Sequence, residues 1–312
     1  MTKTPIACLI YDFDKTLSPR DMQEYGFLPG LGIPPEQFWG ECRQAALRHQ
    51  MDGVLAYMFM MYEKSRGVMP ITRPLLNRLG EDVEFFPGVE SWFSRINEYG
   101  KSIGLTVEHY IVSSGLREII EGSRIAKEFR AIFAASFAYG EDGQACWPST
   151  AVNYTNKTQY LFRINKGILD VTNDVDLNNF TPDDRRRIPF RNMIYLGDGL
   201  TDVPSMKMTR AKGGFSIVVH PPGPTRTVDD MLLQNRVDFA IEADYSAGSE
   251  MEQTVQALLR QIRAVDDCAR LHAKHLDDAR IRTALRRQAP TPGEEQWARL
   301  SGRCPDPAAP EQ

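Results

Sequence analysis

The chain has 312 residues, 42% hydrophobic and 25% charged, with a net charge of −4. That length carries a large core with an appendage, and the mild acidity gives no global electrostatic reason to bind nucleic acid or an anionic membrane. Five cysteines (Cys8, Cys42, Cys146, Cys268 and Cys304) show no CxxC or metal-ligand spacing and read as reduced thiols in a cytoplasmic setting.

Ile6–Tyr11 is an apolar run too short for a signal sequence. It reads as a first buried strand and runs straight into Asp12-Phe13-Asp14-Lys15-Thr16. From Ser18, the residues Pro19, Pro29, Gly30, Gly32, Pro34 and Pro35 punctuate a loop. Helical patterning follows from Glu36 to about Arg66, with Val54, Leu55, Met58, Phe59, Met61 and Tyr62 as its apolar face. The longest apolar stretch, Val54–Tyr62, is far short of the ~20 residues of a membrane helix. Pro70 and Pro74 read as breaks, and residues 77–84 as a polar connection.

A new helix is expected from Phe86-Pro87-Gly88-Val89-Glu90, carrying Trp92, Phe93 and Ile96. Residues 107–112 read as a strand that delivers Ser113-Ser114-Gly115 to the start of a further helix. Phe133–Phe137 reads as a strand and Gly140–Gly143 as a hairpin turn. Asn156, a favourable N-cap, opens a helix that begins with Lys157. The apolar run Met193–Leu196 ends in Gly197-Asp198-Gly199-Leu200-Thr201-Asp202. Strands at 215–219 and 237–241 and an amphipathic helix at 249–265 follow, and then a charged, proline-containing tail.

Alternating strands and helices predict an α/β fold: a doubly wound, Rossmann-like parallel-sheet core with a small helical cap. The core is expected at residues 1–18 and 86–265, the cap at 19–85, and a partly disordered tail at 266–312. The tail helix can pack on the core or on a second copy, which leaves a homo-oligomer open.

In parallel sheets ligands bind beyond the carboxyl ends of the strands. Three strand ends would therefore gather Asp12, Asp14, Ser113 and Asp198 at one crevice. Cleaving a phosphate ester needs an in-line nucleophile, an acid for the leaving oxygen and positive charge on the phosphoryl group. Asp12 supplies a carboxylate nucleophile and Asp14 a general acid and base. Ser113 and the main-chain amides near Ser114 and Gly115 supply hydrogen bonds to phosphate, and Lys157 supplies a fixed charge. Close carboxylates repel an anionic substrate, and Mg²⁺ held by Asp12, the Asp14 carbonyl and Asp198 would relieve the repulsion. Asp202 would orient Lys157 or the metal's waters from behind. The plainer alternatives are a helix cap for Ser113 and Asp202, and Lys166 in place of Lys157.

These four motifs, in this order, resemble those of the haloacid dehalogenase superfamily, and specifically its phosphatases. The resemblance covers residues 6–245 and implies that Asp12 is the nucleophile, Asp14 the acid/base, Ser113 and Lys157 phosphate ligands, and Asp198 a metal ligand. It is most similar to the phosphoserine-phosphatase-like form with the cap between the first two motifs. Asp21 lies nine residues after Asp12, where those enzymes carry a glutamate for the substrate amine. Ser114 in place of a glycine and Thr201 in place of an asparagine depart from that form.

The expected function is thus a Mg²⁺-dependent phosphomonoesterase for a small phosphorylated metabolite, working through an aspartyl-phosphate. A phosphotransferase or mutase, or an inert ligand-binding relative, are the alternatives. Arg185-Arg186-Arg187 reads as a solvated face balanced by Asp183 and Asp184. Asp174, Asp176 and Asn178 begin like a calcium loop that Asn179 and Arg185 then spoil. The stripe Tyr57–Tyr62 reads as the cap's own core or as the lining of a substrate entrance.

Overall fold

In the computed structural model, residues 4–223, 226–288 and 300 are described. Seven strands are β1 (Ile6–Tyr11), β2 (Thr106–Leu116), β3 (Ala131–Tyr139), β4 (Ala145–Thr150), β5 (Met193–Gly197), β6 (Phe215–His220) and β7 (Phe239–Glu242). They form one sheet in the order β4-β3-β2-β1-β5-β6-β7. Every pairing is parallel except β3 with β4, the hairpin over residues 140–143. The chain winds outward from β1 through β2 and β3, then returns to the other side of β1 with β5. The crevice beside β1 is therefore the point where the strand order reverses, which is where open α/β sheets bind ligands.

Helices α1 (Phe27–Leu31), α2 (Pro35–His49), α3 (Gly53–Ser65) and α4 (Arg73–Glu81) fill the segment between β1 and α5 (Val89–Ser102). The remaining helices are α6 (Arg117–Gly122), α7 (Lys157–Lys166), α8 (Asp174–Asn178), α9 (Val203–Ala211), α10 (Arg226–Leu233) and α11 (Glu250–Gln288). Two compact units divide the chain at Arg263/Ala264, within the run of α11. Among the described residues, no helix is long and apolar enough to cross a membrane. Of the tail at 266–312, expected to be partly disordered, residues 266–288 are helical within α11, and 289–312 lie almost wholly outside the described residues.

Alternation along β1 explains the two-sided burial. Ala7, Leu9 and Tyr11 face one core with Trp92, Phe93 and Ile96 of α5. Cys8 and Ile10 face the other, with Leu161 and Ile164 of α7. In the first core a chain of polar atoms is buried but satisfied. The Trp92 indole N–H donates to the Tyr11 hydroxyl (2.8 Å), which meets His109 Nδ1 (3.0 Å), while His109 Nε2 meets Asn97 Oδ1 (3.1 Å). Burial holds the His109 pKa down to about 3, so the ring is neutral.

The structure revises several readings of residues 19–85. Residues 77–84, read as a connection, are largely α4. Pro74 stands in the first turn, where no N–H is needed, and Thr72 Oγ1 caps the helix from Leu75 N–H (3.2 Å). The buried face of α3 is Val54, Tyr57, Met58 and Met61, an i, i+3, i+4, i+7 set, whereas Leu55, Phe59 and Tyr62 are exposed. Met58 and Met61 belong to the same core as β1 and α5, so this segment has no separate core of its own. α4 and α6 cross with touching backbones. A methyl group at Gly122 would lie 1.8 Å from the Asn77 carbonyl oxygen, and one at Gly80 2.1 Å from that of Ile119.

Two further expectations change. Arg187 is no solvated residue: it lies 23% exposed and pairs with Glu108 of β2 through Nη1 at 2.6 Å. Arg186 reaches Asn165 Oδ1 (3.0 Å) and Asp183. Asn156 precedes α7 but does not cap it. Its side chain braces the preceding turn instead, accepting from Asn153 N–H (2.8 Å) and donating to the Ala151 carbonyl (2.7 Å).

Two outcomes follow. Gly122→Ala forces α4 and α6 apart and lowers stability by about 1–3 kcal/mol, the usual range for overpacking, as read by urea denaturation. His109 binds a proton when unfolded but not when folded between pH 6.5 and about 3. Its contribution is therefore present above pH 6.5 and declines on acidification by up to about 1.4 kcal/mol per pH unit. Denaturation curves across that window should show a shallower acid slope for His109→Gln.

Candidate active site

Asp12 leaves β1 at its carboxyl end, its amide still donating to the Leu196 carbonyl of β5 (2.9 Å). That bond sets the Asp12 side chain beside the end of β5. One carboxylate oxygen accepts the Phe13 N–H (2.7 Å), and the other accepts Lys157 Nζ (2.8 Å). Lys157, the first residue of α7, has no exposed surface and also donates to Asp202 Oδ1 (2.7 Å). Burying an ammonium costs several kcal/mol. Burial works against the charged lysine, but the Asp12 and Asp202 carboxylates outweigh it and hold its pKa above the ordinary range. Lys166 lies elsewhere, donating to the Leu177 and Asn179 carbonyls (2.5 and 2.6 Å).

Asp202 is fully buried, and its carboxylate makes no cap bond to α9. Tyr195 of β5 donates its hydroxyl to Asp202 Oδ1 (2.7 Å), the oxygen that Lys157 also uses. Oδ2 is left buried without a hydrogen-bond donor. Gly197 makes room for this fold-back, since a Cβ there would lie 2.5 Å from Asp202 Oδ2. Tyr195 went unread in the sequence because a tyrosine in an apolar strand signals only core.

Among the described residues, Asp12, Asp198 and Asp202 each offer an oxygen within 4.8 Å of the others'. When all three are ionised, the Lys157 ammonium leaves two negative charges unbalanced within the group. Burial, then Asp202 and Asp12, pushes Asp198 up to about 8. An all-oxygen donor set, an excess of negative charge and an orphaned buried oxygen fit a hard divalent cation. Asp14 stands outside this group. Its Oδ1 accepts the Met22 N–H (2.8 Å). Burial, with Asp21 and Asp12, raises its pKa well above the ordinary carboxylate range despite that bond.

β2 runs on through Ser113, Ser114 and Gly115 to Leu116, so these residues end a strand rather than begin a helix. The Gly115 N–H is engaged by Ser113 Oγ (3.0 Å), which leaves the serine proton free for another acceptor. The Ser114 carbonyl accepts the Tyr57 hydroxyl (2.6 Å). Asp21 pairs with Lys15 (2.7 Å). Asp12, Asp14, Asp21, Ser113 and Asp198 all line one cleft of 360 Å³, together with Trp39, Asp52 and Tyr57 of residues 19–85. Lys157 and Asp202 lie beneath its floor, fully buried. Arg43, Arg48, Arg66 and Arg73 do not line it.

No protein-family model matches the sequence. An uncharacterized protein of Borreliella burgdorferi is 27% identical over 273 residues, which is 79% of this chain and 94% of that protein. The solved structure of a probable phosphoserine phosphatase from Vibrio cholerae superposes with a TM-score of 0.52 at 12% identity, covering 84% of this chain and 67% of that one. A HAD-family hydrolase from Salmonella enterica serovar Typhi gives 0.49 at 17% identity, over 79% and 73% of the two chains. With the sheet reversing at β1, the helical segment inserted after it, and Asp12, Ser113 and Asp198 on one crevice above the buried Lys157, this chain shares the Rossmann-like α/β fold of the Vibrio cholerae structure.

Proposed function

We propose that the protein is a Mg²⁺-dependent phosphomonoesterase of small phosphorylated metabolites, acting through an aspartyl-phosphate on Asp12. The observation that carries this reading is the convergence of Asp12 on Lys157, with Asp198 and Asp202 within 4.8 Å and Asp14 on the same cleft. The phosphatases among the structural relatives are consistent with it, as fold alone.

Asp12 attacks phosphorus in line, and the bond to the ester oxygen breaks. Asp14, whose burial favours the protonated form, gives its proton to the departing oxygen. Water then attacks the aspartyl-phosphate and loses a proton to Asp14. The phosphorus–Asp12 bond breaks, releasing inorganic phosphate and restoring the Asp12 carboxylate and the protonated Asp14. The Ser113 hydroxyl holds a phosphoryl oxygen, and the buried Lys157 ammonium offsets negative charge through Asp12. Asp12, Asp198 and the Asp14 carbonyl would hold Mg²⁺, with Asp202 behind them, and the bound cation would supply the charge that screens the carboxylates from the phosphate. Residues 19–85 act as a cap on the core of 1–18 and 86–265, excluding water from the cleft.

The test is phosphate release from a panel of small phosphomonoesters, with Mg²⁺ and with EDTA. Turnover should require the metal and vanish in Asp12→Asn, and a rapid acid quench should recover phosphate bound to the native protein only. Release that survives Asp12→Asn would overturn the reading. Ser113→Ala should keep the fold and lose about 10²-fold in kcat, the usual cost of one donor to a developing oxyanion.

A further inference from the structure

The part of the cleft lining supplied mostly by residues 19–85 has a chemistry of its own. It is walled by Asp21, Gln23, Trp39, Asp52, Tyr57 and Tyr154. Among the described residues lining the cleft, the one cationic side chain is Lys15, and Asp21 neutralises it at 2.7 Å. Lys157 has no exposed surface and is held by Asp12 and Asp202. No arginine lines the cleft, although Arg43 borders an adjoining hollow.

Asp52 takes the Val54 N–H on one oxygen (2.8 Å) and the Asn153 side-chain amide on the other (3.1 Å). Both donors are neutral, so its charge has no counter-ion among the described residues. Gln23 is 2% exposed, and its Oε1 has no donor. A buried amide oxygen left bare costs about 1–3 kcal/mol, which a ligand N–H would recover. The polar ends of two aromatic rings are already used: Trp39 Nε1 donates to Glu24 (2.9 Å) and the Tyr57 hydroxyl to the Ser114 carbonyl (2.6 Å). These bonds fix the rings edge to face at 6.1 Å and leave ring surface for a ligand. An uncompensated carboxylate, a bare acceptor and aromatic faces together suit a cation, through charge, hydrogen bonding and cation–π attraction.

We propose that the leaving group carries a protonated amine and no carboxylate, so that the substrate is the phosphate ester of a small amino alcohol, with Asp52, Gln23, Trp39 and Tyr57 as its specificity-determining residues. This rests on the phosphomonoesterase reading. A phosphorylated amino acid would bring a carboxylate against Asp21 and Asp52 with no free cation in the cleft to receive it. A volume of 360 Å³ is near the low end for small-molecule sites, and phosphate, cation and waters share it. That favours a leaving group of a few atoms.

The comparison that isolates the charge is O-phosphoethanolamine against n-propyl phosphate, which replaces the ammonium by a methyl group of similar size. The expected result is a kcat/KM at least 10-fold higher for the amine ester, with O-phosphoserine below both. The ratio should fall toward 1 in Asp52→Asn, which keeps an N-cap oxygen for α3, and in Gln23→Met. A native ratio of 1 or less, a ratio unmoved in both variants, or a preference for O-phosphoserine or a nucleoside monophosphate would overturn the assignment. p-Nitrophenyl phosphate separates the two failures. Its metal-dependent turnover without amine preference sinks this inference alone, and no turnover of any ester sinks the phosphatase reading with it.

Discussion

A lysine ammonium with no exposed surface is held between the carboxylates of Asp12 and Asp202, and the site is organised around that arrangement. Neither aspartate could be buried at the end of the sheet without it, because desolvation would neutralise them or drive them outward. Lys157 in turn is tolerable only because two anions converge on it from separate strand ends. The ladder fixes that convergence: β5 lies against β1, so the chain leaving Gly197 must fold Asp202 back over the end of β1. Tyr195 and Lys157 both bond to the same oxygen of Asp202 and leave the other bare. A single buried cation thus decides which carboxylate oxygens stay available for chemistry.

Two groups of residues line the cleft. One, from the strand ends, combines carboxylates with a buried ammonium beneath them. The other is acidic and aromatic, and its one cation, Lys15, is paired with Asp21. The residues of this second group come largely from the segment between β1 and α5, so under the proposed function reaction and selectivity would reside in different parts of the chain. Hydrogen bonds from Tyr57 to Ser114 and from Asn153 to Asp52 tie the two parts together at the cleft itself.

Much of this was legible in the residues. Apolar runs ending in Asp12, Ser113 and Asp198 gave away the strands, because a buried strand that ends in polar groups has few other uses. The convergence of Lys157 on Asp12, 145 residues away, followed from motif order. What stayed hidden depends on tertiary partners. Arg187 looked solvated within a basic run because Glu108, its partner, lies 79 residues earlier on β2. The α4 helix was masked by Pro74, which breaks a helix interior but suits a first turn. The face of α3 was misjudged because nearly every residue from Val54 to Tyr62 is apolar, and such a run carries no phase. Gln23 and Asp52 carried no motif at all, and their interest comes from what fails to pair with them.

The central position of β1 bears on how the protein is made. Ile6 pairs with Thr106, 100 residues later, and Cys8 with Met193, 185 residues later. At about 5–20 residues per second on the ribosome, β1 exists for roughly 5–20 seconds before its first neighbour is synthesised. Through that interval a strand of fully apolar character has neither edge paired, and closing so long a loop is slow in its own right. Residues 19–85 emerge in the meantime, and since Phe38, Met58 and Met61 share one core with Leu9 and Tyr11, they are the first apolar surface the nascent strand can bury against. The inserted helices would then serve biosynthesis as a temporary shelter for the strand that leads into Asp12.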